Sequence, residues 1–244
     1  VEDRESHPFL KPLKKKFLVR EDTGSPLAIV GDGYKVVHNK EIVDAFEQAL
    51  DTLPDFKERK VSTYLPFGGS QMYRQYDFNK IFVEPKVGDI TQLRLELVNS
   101  YDGKLKGGFK ISGLRLKCTN GQSIPENFHE ISAKHSSKFN LEDIVKSISK
   151  ALPEFQNIVS TWKNWHEIKM KTQDFVDMLT KSSIPEKTIE KIVDHFAKED
   201  QTKWGAFQAS TWVISHDTKS RKDVQNDRVS QLKLESQITS LFYS

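Results

Sequence analysis

Hydrophobic residues change their spacing near position 135 of the chain. Before it, glycine and proline break the sequence often and apolar residues alternate with polar ones. Beyond it Gly205 is the only glycine, and apolar residues recur at three- and four-residue steps. A period of two marks strands with one buried face, and the longer period marks amphipathic helices. Strands first and helices afterwards predict an α+β protein. The expected architecture is an N-terminal antiparallel sheet with one early helix, followed by a helical C-terminal half packed on it. Residues 1–30 read as an irregular basic arm with short extended pieces. Residues 31–135 read as a mainly β part containing a hairpin over 91–119, and 136–244 as a helical part continuous with the sheet.

Particular segments sharpen this pattern. Tyr34–His38 reads as a short strand. Asn39 then caps a helix whose stripe is Ile42, Val43, Phe46, Ala49, Leu50 and Leu53, and Pro54 closes it. Over 91–99, Leu93, Leu95 and Leu97 face one way, Arg94 and Glu96 the other. Asn99-Ser100-Tyr101-Asp102-Gly103 is turn chemistry, because Asp-Gly supplies positive φ cheaply. Phe109–Thr119 returns as a second strand whose apolar phase slips at Gly113, which predicts a β-bulge there and places Leu114 and Leu116 in the core of Leu93, Leu95 and Leu97. In the second half Asn140 caps a helix that Pro153 kinks or ends, and a longer helix covers 154–180. Ser183-Ile184-Pro185-Glu186 is a capping box opening the next helix, and two more cover 203–216 and 221–242.

Composition narrows the function classes. The 244 residues are 36% hydrophobic and 29% charged, and 15 Phe, 6 Tyr and 4 Trp are too many for a disordered chain. Mean hydropathy is −0.58, and no apolar run approaches the ~20 residues that span a bilayer. The opening VEDRESHPF is charged and lacks the apolar core of a signal peptide, so a cytoplasmic protein without a membrane partner is expected. A single cysteine excludes an internal disulfide and a cysteine-rich zinc site. A net charge of +3 is too mild to name a partner.

Enzyme signatures are missing. Gly103–Phe109 resembles a P-loop only in its glycines, since Phe109 stands where the phosphate-binding lysine belongs. No two of the seven histidines have the i, i+4 spacing of a helical metal pair. Cys118 lies in phase with Leu114 and Leu116 and reads as a buried strand residue. No catalytic residue, metal or cofactor is therefore expected. A nuclease would need a metal site assembled from scattered Asp, Glu and His.

Charge and aromatic patterning are more informative. From Gly103 to Cys118 there are five basic residues, Lys104, Lys106, Lys110, Arg115 and Lys117, and no acidic one. Such a strand face is either a phosphate-binding surface or a solvated outer face with acidic neighbours. Tyr64, Phe67, Tyr73, Tyr76, Phe78 and Phe82 crowd a short stretch with Arg74 and Lys80 among them. Aromatics stack bases and cations hold phosphates, the combination used for single strands. Phe78 and Phe82 fit an aromatic core face better, whereas Tyr73 and Tyr76 flanking Arg74 are the binding candidates. Lys14-Lys15-Lys16 is a third basic cluster. The four tryptophans fall at helix-packing offsets and read as core.

Leu95–Gly121, LELVNSYDGKLKGGFKISGLRLKCTNG, resembles the hallmark of the phage/plasmid-like family known as domain of unknown function 932. Asn99, Ser100, Asp102, Gly103, Cys118, Thr119 and Asn120 occupy its motif positions, with turn and strand-end roles as the structural explanation. Ile131–His135 resembles the family's basic-histidine step, and Trp204–His216 its late helix, with Gln208 or Ser210 near the family's usual Asn. The likeness covers about residues 30–235. It implies a phage or mobile-element setting and, by fold-level analogy, a relation to strand-annealing proteins. The expectation is a non-enzymatic, phage-encoded single-stranded DNA-binding protein of recombination or replication, working in the host cytoplasm alone or as an oligomer. Lys104, Lys106, Lys110, Arg115 and Lys117 would hold phosphates, with Tyr73, Arg74 and Tyr76 beside them. The alternative is a phage protein that binds a host or phage protein through the same basic surface.

Overall fold

The computed structural model describes residues 14–84, 87–88, 90–115, 120–123, 130–136, 138–216 and 224–243. The described chain opens with an antiparallel ribbon of β1 (Lys15–Val19) and β2 (Pro26–Gly31), so the short extended pieces expected in the arm are present and are paired with each other. Residues 34–38 join no strand, against expectation; the Lys35 N–H donates instead to the His135 carbonyl at 3.2 Å. Helix α1 (Asn39–Thr52) follows and buries Ile42, Phe46 and Leu50. Its cap position is His38, because the Asn39 side chain is engaged elsewhere.

The main sheet is antiparallel, with the order β3 (Lys60–Tyr64), β4 (Gln71–Val83), β5 (Thr91–Ser100), β6 (Gly107–Arg115) and β7 (Asn120–Ser123). Strand β8 (Glu130–Ala133) shares one edge of β6 with β7: β7 pairs with residues 112–115 and β8 with residues 107–110. The β5–β6 hairpin runs without a register break from Thr91 opposite Arg115 to Val98 opposite Gly108. Leu93, Leu95 and Leu97 are fully buried beside Phe109 and Ile111.

The bulge expected at Gly113 is absent. Gly113 keeps the core-facing place in the alternation, and Leu114 falls on the opposite face from the three leucines. The reason is steric. A Cβ at Gly113 would sit 2.8 Å from Cη2 of Trp162 and 2.7 Å from Cγ2 of Thr91, so the missing side chain is the room the indole occupies. Leu116 lies outside the described residues. The register break lies in β4 between Phe78 and Phe82, and it leaves Phe82 56% exposed instead of in the core.

Met72, Tyr76 and Phe78 of β4 share the core face with the leucines. The other face is polar yet also buried: Arg94 donates to Asp77 at 2.5 and 3.0 Å, and Gln75 donates to Glu96 at 2.7 Å. Such cross-strand pairs stabilise a sheet face that carries charge.

The second half is α2 (Leu141–Lys146), a 3₁₀ turn (Ser147–Lys150), α3 (Ala151–Glu167), α4 (Thr172–Thr180), α5 (Glu186–Phe196), α6 (Lys203–His216) and α7 (Val224–Tyr243). Asn140 caps α2 by accepting from the Glu142 N–H at 3.0 Å. The helix capped by Asn140 ends at Lys146, before Pro153, which sits instead within the first turn of α3, where its missing N–H has no helical partner to lose. The helix expected over 154–180 is split after Glu167. Ile168 turns extended, Lys169 bridges Thr202, and the Ile168 carbonyl accepts from the Lys203 N–H at 2.8 Å. The expected capping box does not form: Pro185 is the cap residue of α5, and the Ser183 hydroxyl accepts instead from Gln237 of α7 at 2.9 Å. One continuous apolar core joins Phe46 of α1, the sheet, Trp162 of α3, Phe207 of α6 and Phe242 of α7. No described helix is long and apolar enough to cross a membrane.

Candidate functional site

The turn after β5 ties four parts of the chain together. Asn99 is fully buried, and its Nδ2 donates to the Val37 carbonyl at 3.0 Å and to Asn39 Oδ1 at 2.8 Å. The Ser100 carbonyl accepts from the Tyr34 hydroxyl at 2.6 Å, and the Ser100 hydroxyl bonds across the turn to Leu105. Tyr101 accepts the Asn39 N–H on its hydroxyl at 2.9 Å, and its own N–H donates to the Ser70 carbonyl at 2.7 Å. Asp102 accepts from Gln71 Nε2 at 2.8 Å and from the Lys104 N–H at 3.0 Å. Gly103 has φ +71, which a residue with a Cβ adopts only under strain, and it faces the Tyr34 ring. Burial raises the pKa of both Tyr34 and Tyr101, so both phenols stay protonated and able to donate.

Beside this turn lies a strained one. Phe67, Gly68 and Gly69 all have positive φ, and Phe67 does so without the licence of a glycine. Left-handed backbone at such a residue costs on the order of 1–3 kcal/mol and clusters at functional sites. It holds the Phe67 ring 47% exposed, with Lys104 Nζ 5.8 Å from its centroid. Arg20 secures the turn by donating to the Gly68 carbonyl at 3.1 Å while gripping Asp22 with two bonds of 2.9 and 2.7 Å. Those bonds hold the Asp22 carboxyl down to about 2. Between the ribbon and the two turns is a cleft of ≈450 Å³, lined by apolar residues such as Leu18, Leu27 and Leu65 and by Arg20, Asn39 and Tyr101.

A third feature surrounds His135. Its ring stacks between Tyr34, 5.1 Å away, and Phe139, 5.2 Å away. It is 6% exposed, and neither ring nitrogen has a hydrogen-bond partner among the described residues. Burial lowers its pKa. Two lysines reach this stack, and four more stand beside its residues or their glycine contacts in the chain. Lys16 Nζ reaches the Tyr34 carbonyl at 3.4 Å, and Lys35 Nζ reaches the Phe139 carbonyl at 3.0 Å. Lys104 follows Gly103, which faces Tyr34. Lys106 precedes Gly107, whose missing Cβ would meet Phe139 and His135. Lys134 and Lys138 adjoin His135 and Phe139 in the chain, and both are exposed. Among the described residues the only ion pair joining any of these lysines to a carboxylate is that of Lys104 with Asp102, at 3.9 Å.

The residues expected from the sequence to bind do not all meet here. Lys104 and Lys106 lie between Gly103 and Gly107, whose backbones face Tyr34 and the pair Phe139 and His135. Lys110 lies elsewhere, on the polar sheet face, opposite Glu96 on one neighbouring strand and Glu130 on the other. Position 115 ends β6 opposite Thr91, out of phase with Lys110. Lys117, Cys118 and Thr119 lie outside the described residues, and Asn120 opens β7. The pairing of Tyr73 with Tyr76 is corrected, because residues three apart on a strand point to opposite faces. Tyr76 is fully buried, packed on Phe46, and donates to Glu47 at 3.1 Å. Tyr73 is buried on the other face with Val98. Arg74 is committed to Glu47 at 2.7 Å, Thr63 at 2.6 Å and Tyr76 at 3.0 Å.

Sequence reasoning missed Lys35, Lys134, Lys138 and the role of Phe67. Each of those lysines stands within one residue of Tyr34, His135 or Phe139, a local signal too common to single out. Among the described residues no three His, Cys, Asp or Glu side chains converge on a metal-sized site. No curated protein and no solved structure matches the chain. The motif turn and nearly everything it ties together fall within residues 26–234, which match the model of the family described as domain of unknown function (DUF932), and the chain belongs to that family.

Proposed function

We propose that the protein binds single-stranded DNA at the sheet end around Tyr34, His135 and Phe139, as a non-enzymatic component of annealing, recombination or replication in a phage setting. The observation that carries this reading is that Lys16 and Lys35 reach the backbone of one aromatic stack while the exposed Lys104, Lys106, Lys134 and Lys138 belong to the segments that meet at it, with Lys104–Asp102 the one ion pair to a carboxylate that these lysines make among the described residues. Lysines so placed neutralise phosphates and release counterions. Phe67, held outward by its backbone conformation under Lys104, supplies the exposed ring on which a base stacks.

The test is fluorescence anisotropy with a labelled single strand of roughly 40 nucleotides, long enough for several such sites, across a salt series. Each neutralised phosphate contributes about −0.7 to the slope of log K against log salt. Replacing Lys104, Lys106, Lys134 and Lys138 together by Ala should flatten the slope by about three units. Phe67→Ala should weaken binding by about 1–3 kcal/mol and leave the slope unchanged. Absence of binding by the folded protein at low salt, or a slope indifferent to the four lysines, refutes the reading. The same surface would then dock an acidic protein, a second reading favoured by the cross-strand pair Phe17 and Ile29 on the ribbon, 63% and 67% exposed.

A further inference from the structure

The cleft between the β1–β2 ribbon and the turn after β5 adjoins the lysine surface without being part of it. Leu65 and Gly69 lie in its wall, and the exposed Phe67 stands between them in the chain. Tyr101 is in the wall as well, two residues from the Gly103-Lys104 step that faces Tyr34. At ≈450 Å³ it falls in the range of small-molecule sites, about 300–1,000 Å³, and has their usual make-up of apolar walls with a few convergent polar groups.

Hydrogen bonds inside the protein fix what those polar groups can offer. Asn99 spends its Nδ2 on the Val37 carbonyl and on Asn39 Oδ1, at 3.0 and 2.8 Å. The Asn39 amide oxygen is therefore turned toward Asn99, and its N–H₂ is the group left for a ligand. The Tyr101 oxygen accepts the Asn39 backbone N–H at 2.9 Å, which leaves the O–H hydrogen to donate. The wall thus presents two neighbouring donors, in an orientation that a buried asparagine behind it enforces. An apolar slot with two adjacent donors fits a planar ring carrying two adjacent acceptors.

Resting on the strand-binding reading for its ligand class, we infer that this cleft takes one nucleobase of the bound strand, with Asn39 and Tyr101 reading its polar edge. Guanine offers N7 and O6 as adjacent acceptors, and cytosine offers N3 and O2. Adenine sets an N–H₂ donor next to N7, and thymine sets an N–H between its two carbonyls. The cleft therefore prefers cytosine and guanine. The exposed Phe67, between the wall residues Leu65 and Gly69 in the chain, stacks the neighbouring base, and the lysines carry the backbone onward.

The experiment uses the full chain and free mononucleotides, so that it does not depend on strand binding. Saturation-transfer NMR is run with the deoxycytidine, deoxyguanosine, deoxyadenosine and thymidine monophosphates in turn. The first two should bind at least roughly fivefold more tightly than the others, the lower end of what one well-placed pair of hydrogen bonds discriminates. Leu65→Trp, at an exposed wall position, should fill the cleft and abolish all four signals while the strand-binding salt slope persists. Tyr101→Phe should retain binding and level the four affinities. The four-lysine variant should leave the pattern of preference intact. No signal from any mononucleotide, signal that survives Leu65→Trp in a protein with an unchanged melt, or equal affinity for all four in the parent overturns the inference. Strand binding without mononucleotide signal defeats the cleft and spares the lysine surface. A cytosine and guanine preference without strand binding supports the cleft and defeats the surface.

Discussion

Replacing His135 by Phe should stabilise the protein, and stabilise it more as the pH falls. The ring lies between Tyr34 and Phe139 at centroid distances of 5.1 and 5.2 Å, an aromatic slot that a phenyl ring fits. A neutral imidazole brings one N–H donor and one bare nitrogen acceptor into that slot, and both are buried without partners. A buried unsatisfied group costs about 1–3 kcal/mol. Phenyl removes both, against some overpacking beside Gly107, whose missing Cβ would lie 3.3 Å from His135 Cε1. A net gain of about 1–2 kcal/mol at pH 7.5 follows. Titration adds to it. Burial lowers the folded-state pKa below the ordinary 6.5, because the charged imidazolium loses its hydration in the aromatic slot. Below pH 6.5 the unfolded chain binds a proton that the folded one refuses, so the parent's stability falls with pH until the folded pKa is reached. The slope of that loss is at most about 1.4 kcal/mol per pH unit. His135→Phe has no such loss, so its advantage should widen between pH 7.5 and 5.5. Urea unfolding of both proteins at several pH values in that range measures the difference. A difference independent of pH, or a variant less stable by more than about 2 kcal/mol at pH 7.5, would show that the imidazole is bonded in solution.

Two further substitutions test the framework of the site. Gly205→Ala should destabilise by about 3 kcal/mol or more, because a Cβ there would sit 1.9 Å from the Asp200 carbonyl oxygen and backbone must move; a thermal melt within a degree or two of the parent would contradict it. Asn99→Ala should cost about 2 kcal/mol, since it strips the Val37 carbonyl and Asn39 Oδ1 of their donor, and it should also erase the cleft's base preference by freeing the Asn39 amide to turn; unfolding curves and the mononucleotide titration read the two effects separately.

How much of this was legible in the sequence depends on whether the signal was local. The alternation of Leu93, Leu95 and Leu97 is written in the strand itself, and the stripe of Ile42, Phe46 and Leu50 in the helix, so both elements could be read from periodicity. Gly113 could not be read correctly. Its absent side chain means either a bulge or a neighbour's bulk, and the neighbour is Trp162, 49 positions along the chain. Ser183 has the residues of a capping box around it, but its hydroxyl bonds to Gln237. Tyr73 and Tyr76 looked like partners because they flank Arg74, although strand geometry already sets residues three apart on opposite faces. The cluster at His135 draws on five segments brought together by α1, β6 and β8, and no window of sequence contains it.

The motif turn acquires a purpose that turn chemistry alone does not require. An Asp-Gly turn needs only Asp102 and Gly103. Here each residue before them is also engaged at long range: Asn99 with the start of α1, Ser100 with Tyr34, and Tyr101 with both Asn39 and Ser70. A turn that merely reversed the chain would gain nothing from fixing an amide in a cleft wall on one side and a tyrosine under a lysine surface on the other. These bonds run through one rigid five-residue segment, so Tyr101 in the cleft and Lys104 on the surface cannot move independently. On the proposed reading, a phosphate at Lys104 and a base in the cleft would be held by one turn, so the fold would set their spacing before any ligand arrives.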